Sequence, residues 1–266
     1  MKIGVVGCAG RMGRMITAEI DATVGCELAG GTEAPGHPDL DADVSALAGL
    51  DGGGLKVSDD AQALFAASDG VVDFTGPGPT VMHAGLAAET GTPLITGSTG
   101  LDDTQTAALA EAAKQCVIVH APNMSVGVNL LLAVTKQVAG ILGEDFDIEI
   151  NEIHHRHKVD APSGTALGLG LAAADGRSVE LDQVALRGRD GITGARPRGG
   201  IGFASSRGGD VVGEHSVIFA GEGERIELAH KAASRKIFAS GAIRAALWAE
   251  GKPAGLYSMF DVLGFS

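Results

Sequence analysis

The 266-residue sequence predicts an α/β protein in two parts, a doubly wound parallel sheet over its first half and an α+β second domain built on a mixed sheet. Three observations carry this. An apolar run, Lys2–Val6, meets Gly7, Gly10 and Gly13 just as a helical stretch begins. Strand-like and helical segments then alternate as far as Pro122. Beyond it, strand candidates follow one another with no long helix between Val184 and Leu228.

Lys2–Val6 reads as a buried strand and Arg11–Ile20 as a helix, with the glycines at their junction. Further strands are expected at Glu27–Gly31, Val71–Thr75, Leu94–Thr96 and Val117–His120. Helical patterns at Thr80–Glu89 and Asp102–Lys114 separate the later ones, with Asp102 as an N-cap. This alternation makes the first sheet Rossmann-like. After Pro122 a helix at Val126–Leu142 leads into a strand, Phe146–His154, where Phe146, Ile148 and Ile150 share one face of a period-two pattern. Ser163–Ala174 is helical, Val211–Phe219 and Arg225–Leu228 are strands, and Ser234–Ala249 is a helix. The tail, Gly255–Val262, is read as returning to the first domain. The expected division is residues 1–125 plus about 235–266 as a dinucleotide-binding domain, and 126–234 as a substrate domain. The Gly- and Arg-rich stretch between Leu186 and Gly213, RGRDGITGARPRGG at its centre, fits a flexible linker or a mobile loop over a site equally well.

A formal net charge of -13 argues against a nucleic-acid surface, because phosphate binding relies on many cationic side chains. Cys8, Cys26 and Cys116 are odd in number and lack C-x-x-C spacing, so neither a disulfide framework nor a zinc site is expected. The N-terminus lacks the features of a secretory signal, and no apolar stretch of membrane-spanning length is read in the sequence. A cytoplasmic protein without a membrane partner is expected.

VVGCAGRMG turns a strand sharply into a helix, which lets backbone N–H groups approach a pyrophosphate at the helix start. The spacing is G-x-x-G-x-x-G, with Ala9 where the usual fingerprint has its middle glycine. Glu33 lies about twenty residues past Gly13, where a carboxylate holds a ribose 2′-hydroxyl. That carboxylate would repel a 2′-phosphate, and Ala34 offers no guanidinium to receive one, so NADH is favoured and NADPH remains a possible cofactor. Phe74-Thr75-Gly76-Pro77 and Thr96-Gly97-Ser98-Thr99-Gly100 follow two further strands at the same sheet edge, and their glycines suit a close backbone approach to the cofactor.

NEIHHRHKVDAPSGTA, Asn151–Ala166, packs three histidines, an arginine and a lysine into five positions of an acidic chain. Such crowding is unfavourable unless an anion compensates it. Ser163-Gly164-Thr165 opens the next helix, whose unpaired N–H groups and dipole suit a carboxylate. A small acid, with two carboxylates, is the expected substrate. No metal is expected, because Arg156 and Lys158 would repel one.

GCAGRMGRMI, DFTGP, TGSTG, APNMSVGVN and above all EIHHRHKVDAPSGTAL closely resemble the 4-hydroxy-tetrahydrodipicolinate reductase (dihydrodipicolinate reductase) family, over essentially the whole chain. The resemblance implies NAD(P)H-dependent reduction of a cyclic imine dicarboxylate in lysine and diaminopimelate biosynthesis. It implies that Gly7, Cys8, Ala9, Gly10, Arg11, Met12, Glu33, Gly97, Ser98, Thr99, Ala121, Pro122, Asn123 and Met124 contact the nucleotide. His154 would be the proton donor and acceptor, Lys158 a second proton donor, His155 a substrate contact, and Gly164 and Thr165 the holders of a substrate carboxylate. A homotetramer assembled through the C-terminal sheet is implied as well. The sequence departs from the family at Ala34, where many members carry Arg. Two other readings stay open: a related imine or amino-acid dehydrogenase, and a noncatalytic nucleotide sensor.

Overall fold

The computed structural model describes residues 1–265. In chain order its elements are β1 (Lys2–Val6), α1 (Arg11–Ala22), β2 (Glu27–Thr32), α2 (Val44–Leu47), β3 (Val57–Ser58), α3 (Ala61–Ala66), β4 (Gly70–Asp73), α4 (Pro77–Thr90), β5 (Leu94–Thr96), α5 (Asp103–Ala112), β6 (Val117–His120), α6 (Val126–Leu142), β7 (Asp147–His154), α7 (Gly164–Gly176), α8 (Leu181–Val184), β8 (Ala185–Leu186), β9 (Ile201–Arg207), β10 (Gly213–Ala220), β11 (Arg225–Ala232), α9 (Lys236–Ala249), β12 (Gly255–Tyr257) and α10 (Met259–Leu263). They fall into two compact units, Met1–Val126 with the chain from Lys236 onward, and Gly127–Arg235.

The first unit is built on a seven-stranded parallel sheet of order β12-β6-β5-β4-β1-β2-β3. Its strands are apolar on both faces because helices cover both. Val5, Val72, Ile95 and Val119 pack against Ile16 and Ile20 of α1 and the alanine-rich face of α9. Val6, Val71, Leu94 and Ile118 face the other way, onto Phe65, Ala84 and Leu109. The strand order reverses direction at β1, between β2 and β4, and that is where open α/β sheets leave a ligand crevice. Asp102 caps α5 through a capping box with Gln105, a device visible in the sequence. By contrast α2, β3 and α3 are two to six residues long, too short to show a period in the sequence, and are held by Asp43 and Asp60 as N-caps.

The second unit carries a mixed sheet, β11-β10-β7-β9-β8, in which β10 runs antiparallel to β7 and β11 while β7, β8 and β9 are parallel. One face is buried under α6 and α7. Ile148 and Ile150 of β7, Phe203 of β9, and Val217 and Phe219 of β10 meet Leu131, Ala139, Leu169 and Ala173 there. The two helices approach closely where a Cβ on Gly176 would lie 2.2 Å from the Lys136 carbonyl oxygen.

The Gly- and Arg-rich stretch divides in two: residues 187–200 form a mostly exposed loop without helix or strand, and Ile201–Arg207 is strand β9. Arg196 fastens the loop to β7, donating to Glu149 (2.9 Å), Asp147 (2.7 Å) and the carbonyls of Ile148 (2.9 Å) and Gly200 (2.6 Å), while Arg189 forks onto Glu149 at 2.7 and 3.0 Å. The one glycine of β9 makes room for a neighbouring carboxylate: a Cβ on Gly202 would lie 2.0 Å from Glu149 Oε2. Further, α6 with its 3-10 continuation, Val126–Asp145, is 20 residues long at mean hydropathy 1.5, enough by length and composition to cross a membrane. Its Leu131 and Ala139 belong to the sheet core and Lys136 pairs with Asp175, while 28% of the span is buried.

Candidate functional site: a nucleotide cleft and a histidine-carboxylate cluster

The candidate site of the first unit follows from the turn after β1. Gly7 takes a φ of +69°, and a Cβ on Gly13 would lie 2.2 Å from the Gly7 carbonyl oxygen, so the turn and the first helical turn are pressed together as only glycine permits. α1 has no capping side chain and no acid in its first turn. Its leading N–H groups are therefore available to an anion. A cleft of about 740 Å³ opens at the carboxyl ends of β1, β2 and β4, bordered by Gly7, Glu33, Ala34, Thr75 and His83. Asp59 and Asp60 contribute to its wall and no Lys or Arg does.

Glu33, directly after β2, accepts a hydrogen bond from the Ala9 N–H at 2.9 Å, so the acid and the glycine turn are in contact. Cys8 is buried behind them, and burial, reinforced by Glu33, pushes its thiol up to about 12, which makes it a packing residue. Arg11 is exposed and Met12 half-buried at the helix start, beside the exposed Gly10. In the second loop Gly97 has a packing reason independent of any ligand: a Cβ there would lie 2.3 Å from the Phe74 ring. Ser98 is buried with its hydroxyl 2.6 Å from that of Thr80, whereas Thr99 is exposed. Ala121 and Met124 are buried in the core, while Pro122 is exposed and Asn123 accepts the Ser125 N–H at 2.9 Å. Spacing did not reveal Asp73 and His83. Asp73, fully buried at the end of β4, takes Thr75 N–H and hydroxyl at 2.8 and 2.6 Å and His83 Nδ1 at 2.9 Å.

The candidate site of the second unit grows out of the alternation along β7. The buried face of the mixed sheet is apolar at Ile148–Phe219 and Ile150–Val217, then turns polar at Glu152–His215 and ends at His154–Gly213. Glu152, with a side chain 1% exposed, accepts from His154 Nδ1 at 2.5 Å and from Arg207 at 2.9 and 3.0 Å. Burial alone would raise its carboxyl, but hydrogen bonds from Ser205, His154 and Arg207 hold it below the ordinary value. His215 stands edge-on to His154 with ring centroids 5.0 Å apart, and its Nε2 is 2.9 Å from Ser163 Oγ. Burial first, and the charge of His154 second, push His215 down to about 4, so it is neutral at pH 7.

Past His154 the chain becomes a turn. His155 is half-buried and lowered by burial and by its cationic neighbours Arg235 and His157. Arg156 and His157 are exposed, and Lys158 reaches Asp160 at 2.8 Å. Ser163 caps α7 by accepting the Ala166 N–H at 3.2 Å, and Gly164, exposed, and Thr165 form the first helical turn with no acid in it. His154, His155, Lys158, Gly164 and Thr165 thus all lie in the segment from the end of β7 to the start of α7. Sequence reading missed Glu152, Arg207 and His215. Glu152 was visible in principle, because it continues the period-two row of Ile148 and Ile150; the other two come from strands paired across the sheet.

Residues 1–124 match the family model described as dihydrodipicolinate reductase, N-terminus, and residues 127–263 the one described as dihydrodipicolinate reductase, C-terminus. The chain is 55% identical over its full length to a 4-hydroxy-tetrahydrodipicolinate reductase from Rhodopseudomonas palustris, covering 98% of that protein. It is 53% identical to one from Ruegeria sp. over 98% of this chain and 97% of the other. Among solved structures, a dipicolinate-bound dihydrodipicolinate reductase from Paenisporosarcina sp. shares the fold at a TM-score of 0.77, with 22% identity and 98% of each chain covered. Both halves of the sequence and their pairing in one chain lead to one conclusion: this protein belongs to the 4-hydroxy-tetrahydrodipicolinate reductase family, NAD(P)H-dependent reductases of lysine biosynthesis.

Proposed function

We propose that this chain reduces 4-hydroxy-tetrahydrodipicolinate, by way of dihydrodipicolinate, to tetrahydrodipicolinate, with NADH preferred over NADPH and with His154 and Lys158 as proton donors. The observation that carries the reading is the end of β7, where an imidazole held by a buried carboxylate and an ammonium stand just before an acid-free helix start. A pyridine nucleotide fits the first unit, since the Gly7–Gly13 turn, the uncapped α1 and Glu33 provide donors for a pyrophosphate and an acceptor for a ribose. When bound, it supplies a hydride from the nicotinamide C4.

The chain's residues handle the rest. N–H groups at Gly164 and Thr165, with the dipole of α7, hold one substrate carboxylate, and His155 adds a contact. Hydride addition to the ring leaves an electron-rich centre, and a proton from His154 or Lys158 balances it, giving the tetrahydro product and the oxidised nucleotide. The NADH preference is supported by a cleft wall bearing Glu33, Asp59 and Asp60 and no cation, with Ala34 following the acid. A 2′-phosphate would meet like charge there. A homotetramer built through the mixed sheet, in a cytoplasmic setting, completes the reading and is checked by light scattering.

The test is to mix the purified protein with freshly generated 4-hydroxy-tetrahydrodipicolinate and follow the reduced-nicotinamide absorbance with each cofactor in parallel. Rapid loss with a higher kcat/KM for NADH is expected. Folded protein that consumes neither cofactor refutes the activity, and a higher kcat/KM with NADPH refutes the preference.

A further inference from the structure

We propose that Glu152 is a positioning residue for the reduction, holding His154 in a single tautomer, and that Arg207 holds Glu152 in turn. The proposal rests on the assignment of His154 as proton donor made above.

A carboxylate that is 1% exposed inside a sheet is costly unless it is paired and hydrogen-bonded. Glu152 is both. Its Oε2 takes His154 Nδ1 at 2.5 Å, and Arg207 Nη1 spans both oxygens at 2.9 and 3.0 Å. An ionised carboxylate only accepts, so His154 Nδ1 carries a hydrogen, and Nε2 is left as the ring atom that exchanges a proton with substrate. The ring is crowded into place, since a Cβ on the facing Gly213 would lie 2.9 Å from Nε2.

The charges around His154 explain why a carboxylate is required. Facing or adjoining it are Arg207 from β9, His215 from β10, and His155 and Lys158 from the turn that follows, with His230 of β11 opposite His215 in register. Without Glu152, an imidazolium at His154 would confront Arg207 and Lys158 unopposed. Arg207 also links the two proton donors. Its Nη2 donates to the Asp160 carbonyl at 2.6 Å, and the Asp160 carboxylate holds Lys158 at 2.8 Å. One guanidinium therefore ties the anion beneath His154 to the turn that carries Lys158.

Glu152→Gln, His154→Ala and the double variant are compared with wild type for kcat, nucleotide KM and the pH profile of kcat. The expected result for Glu152→Gln is a kcat about tenfold or more below wild type, with nucleotide KM within about twofold. The pH profile of kcat should also change, because a neutral amide replaces the anion beneath the ring. On a His154→Ala background the same change should cost less than about twofold. Glu152→Gln that keeps the wild-type kcat and profile, or that costs as much with His154 absent as present, overturns the proposal. Full turnover by His154→Ala alone overturns instead the assignment on which it rests. Should Glu152→Gln not fold, Glu152→Asp, whose shorter arm withdraws the carboxylate from Nδ1, replaces it in the same comparison: a tenfold loss of kcat that vanishes without His154 supports the proposal, and an unchanged kcat or a loss independent of His154 overturns it.

Discussion

Asp73→Ala tests whether the buried anion under the nucleotide cleft organises it. The carboxylate is fully buried and accepts three hydrogen bonds, two from Thr75 and one from His83, whose side chain is 6% exposed. Burial alone would raise the Asp73 carboxyl, and the His83 and Thr75 bonds hold it below the usual range, so the native group is an anion. Truncation removes all three bonds and leaves the His83 ring and the Thr75 N–H without their acceptor. Each bond ends on a charged carboxylate and is worth about 1.5 kcal/mol at the low end, so the loss is roughly 4 kcal/mol, within the range for breaking a buried pair. In a domain of this size that lowers Tm by roughly 8–15 °C. Thr75 and His83 also border the cleft, so NADH affinity should fall with stability. Thermal unfolding with and without NADH, alongside a fluorescence titration, measures both. Asp73→Asn, which keeps the acceptor for Thr75, should lose about half as much. A Tm within about 2 °C of wild type for Asp73→Ala refutes the reasoning, because three buried bonds cannot vanish at so little cost.

Three further outcomes are expected. His154→Ala and Lys158→Ala each lower kcat by about a hundredfold or more while NADH still binds, whereas His155→Ala acts on substrate KM; steady-state kinetics with a binding titration decides, and wild-type turnover removes the residue from the chemistry. Ala34→Arg, placing a guanidinium after Glu33 in the cleft wall, raises kcat/KM for NADPH relative to NADH by about tenfold or more, and an unchanged ratio shows that the 2′ position is not read there. The His215 value of about 4 lies below the ordinary 6.5. The unfolded chain therefore binds the extra proton between those values, and stability falls as pH drops from about 6.5 towards 4, by about 3 kcal/mol in all. The depressed carboxyls of Glu149 and Glu152 add their losses as pH falls through their ordinary value of 4.5, and Asp73 as it falls through 3.8. Urea titrations at pH 6.5 and 4.5 measure the first loss, and His215→Asn should flatten it.

Much of this molecule was legible in one dimension because it rests on local periodicity. The β1–α1 glycine turn, the alternating strands and helices of the first sheet, the Asp102 cap and the α7 start at Ser163 are each set by residues within a few positions of one another. The HHRHK run stands out for the same reason, since its charges are adjacent in the chain. Sequence alone could not pair strands. β9 lay hidden in a Gly- and Arg-rich stretch whose composition is explained only by the carboxylates of β7 that it meets. His215 and Arg207 become partners of His154 and Glu152 only through the register of β10 and β9 across β7, and His83 becomes the partner of Asp73 only when α4 folds back over β4. Local order follows from backbone geometry and side-chain pattern within a turn or two. Which titratable groups are buried together depends on contacts between residues tens of positions apart, and it is the tertiary structure that supplies the hydrogen bonds holding Glu152 ionised against its burial and the burial keeping His215 neutral.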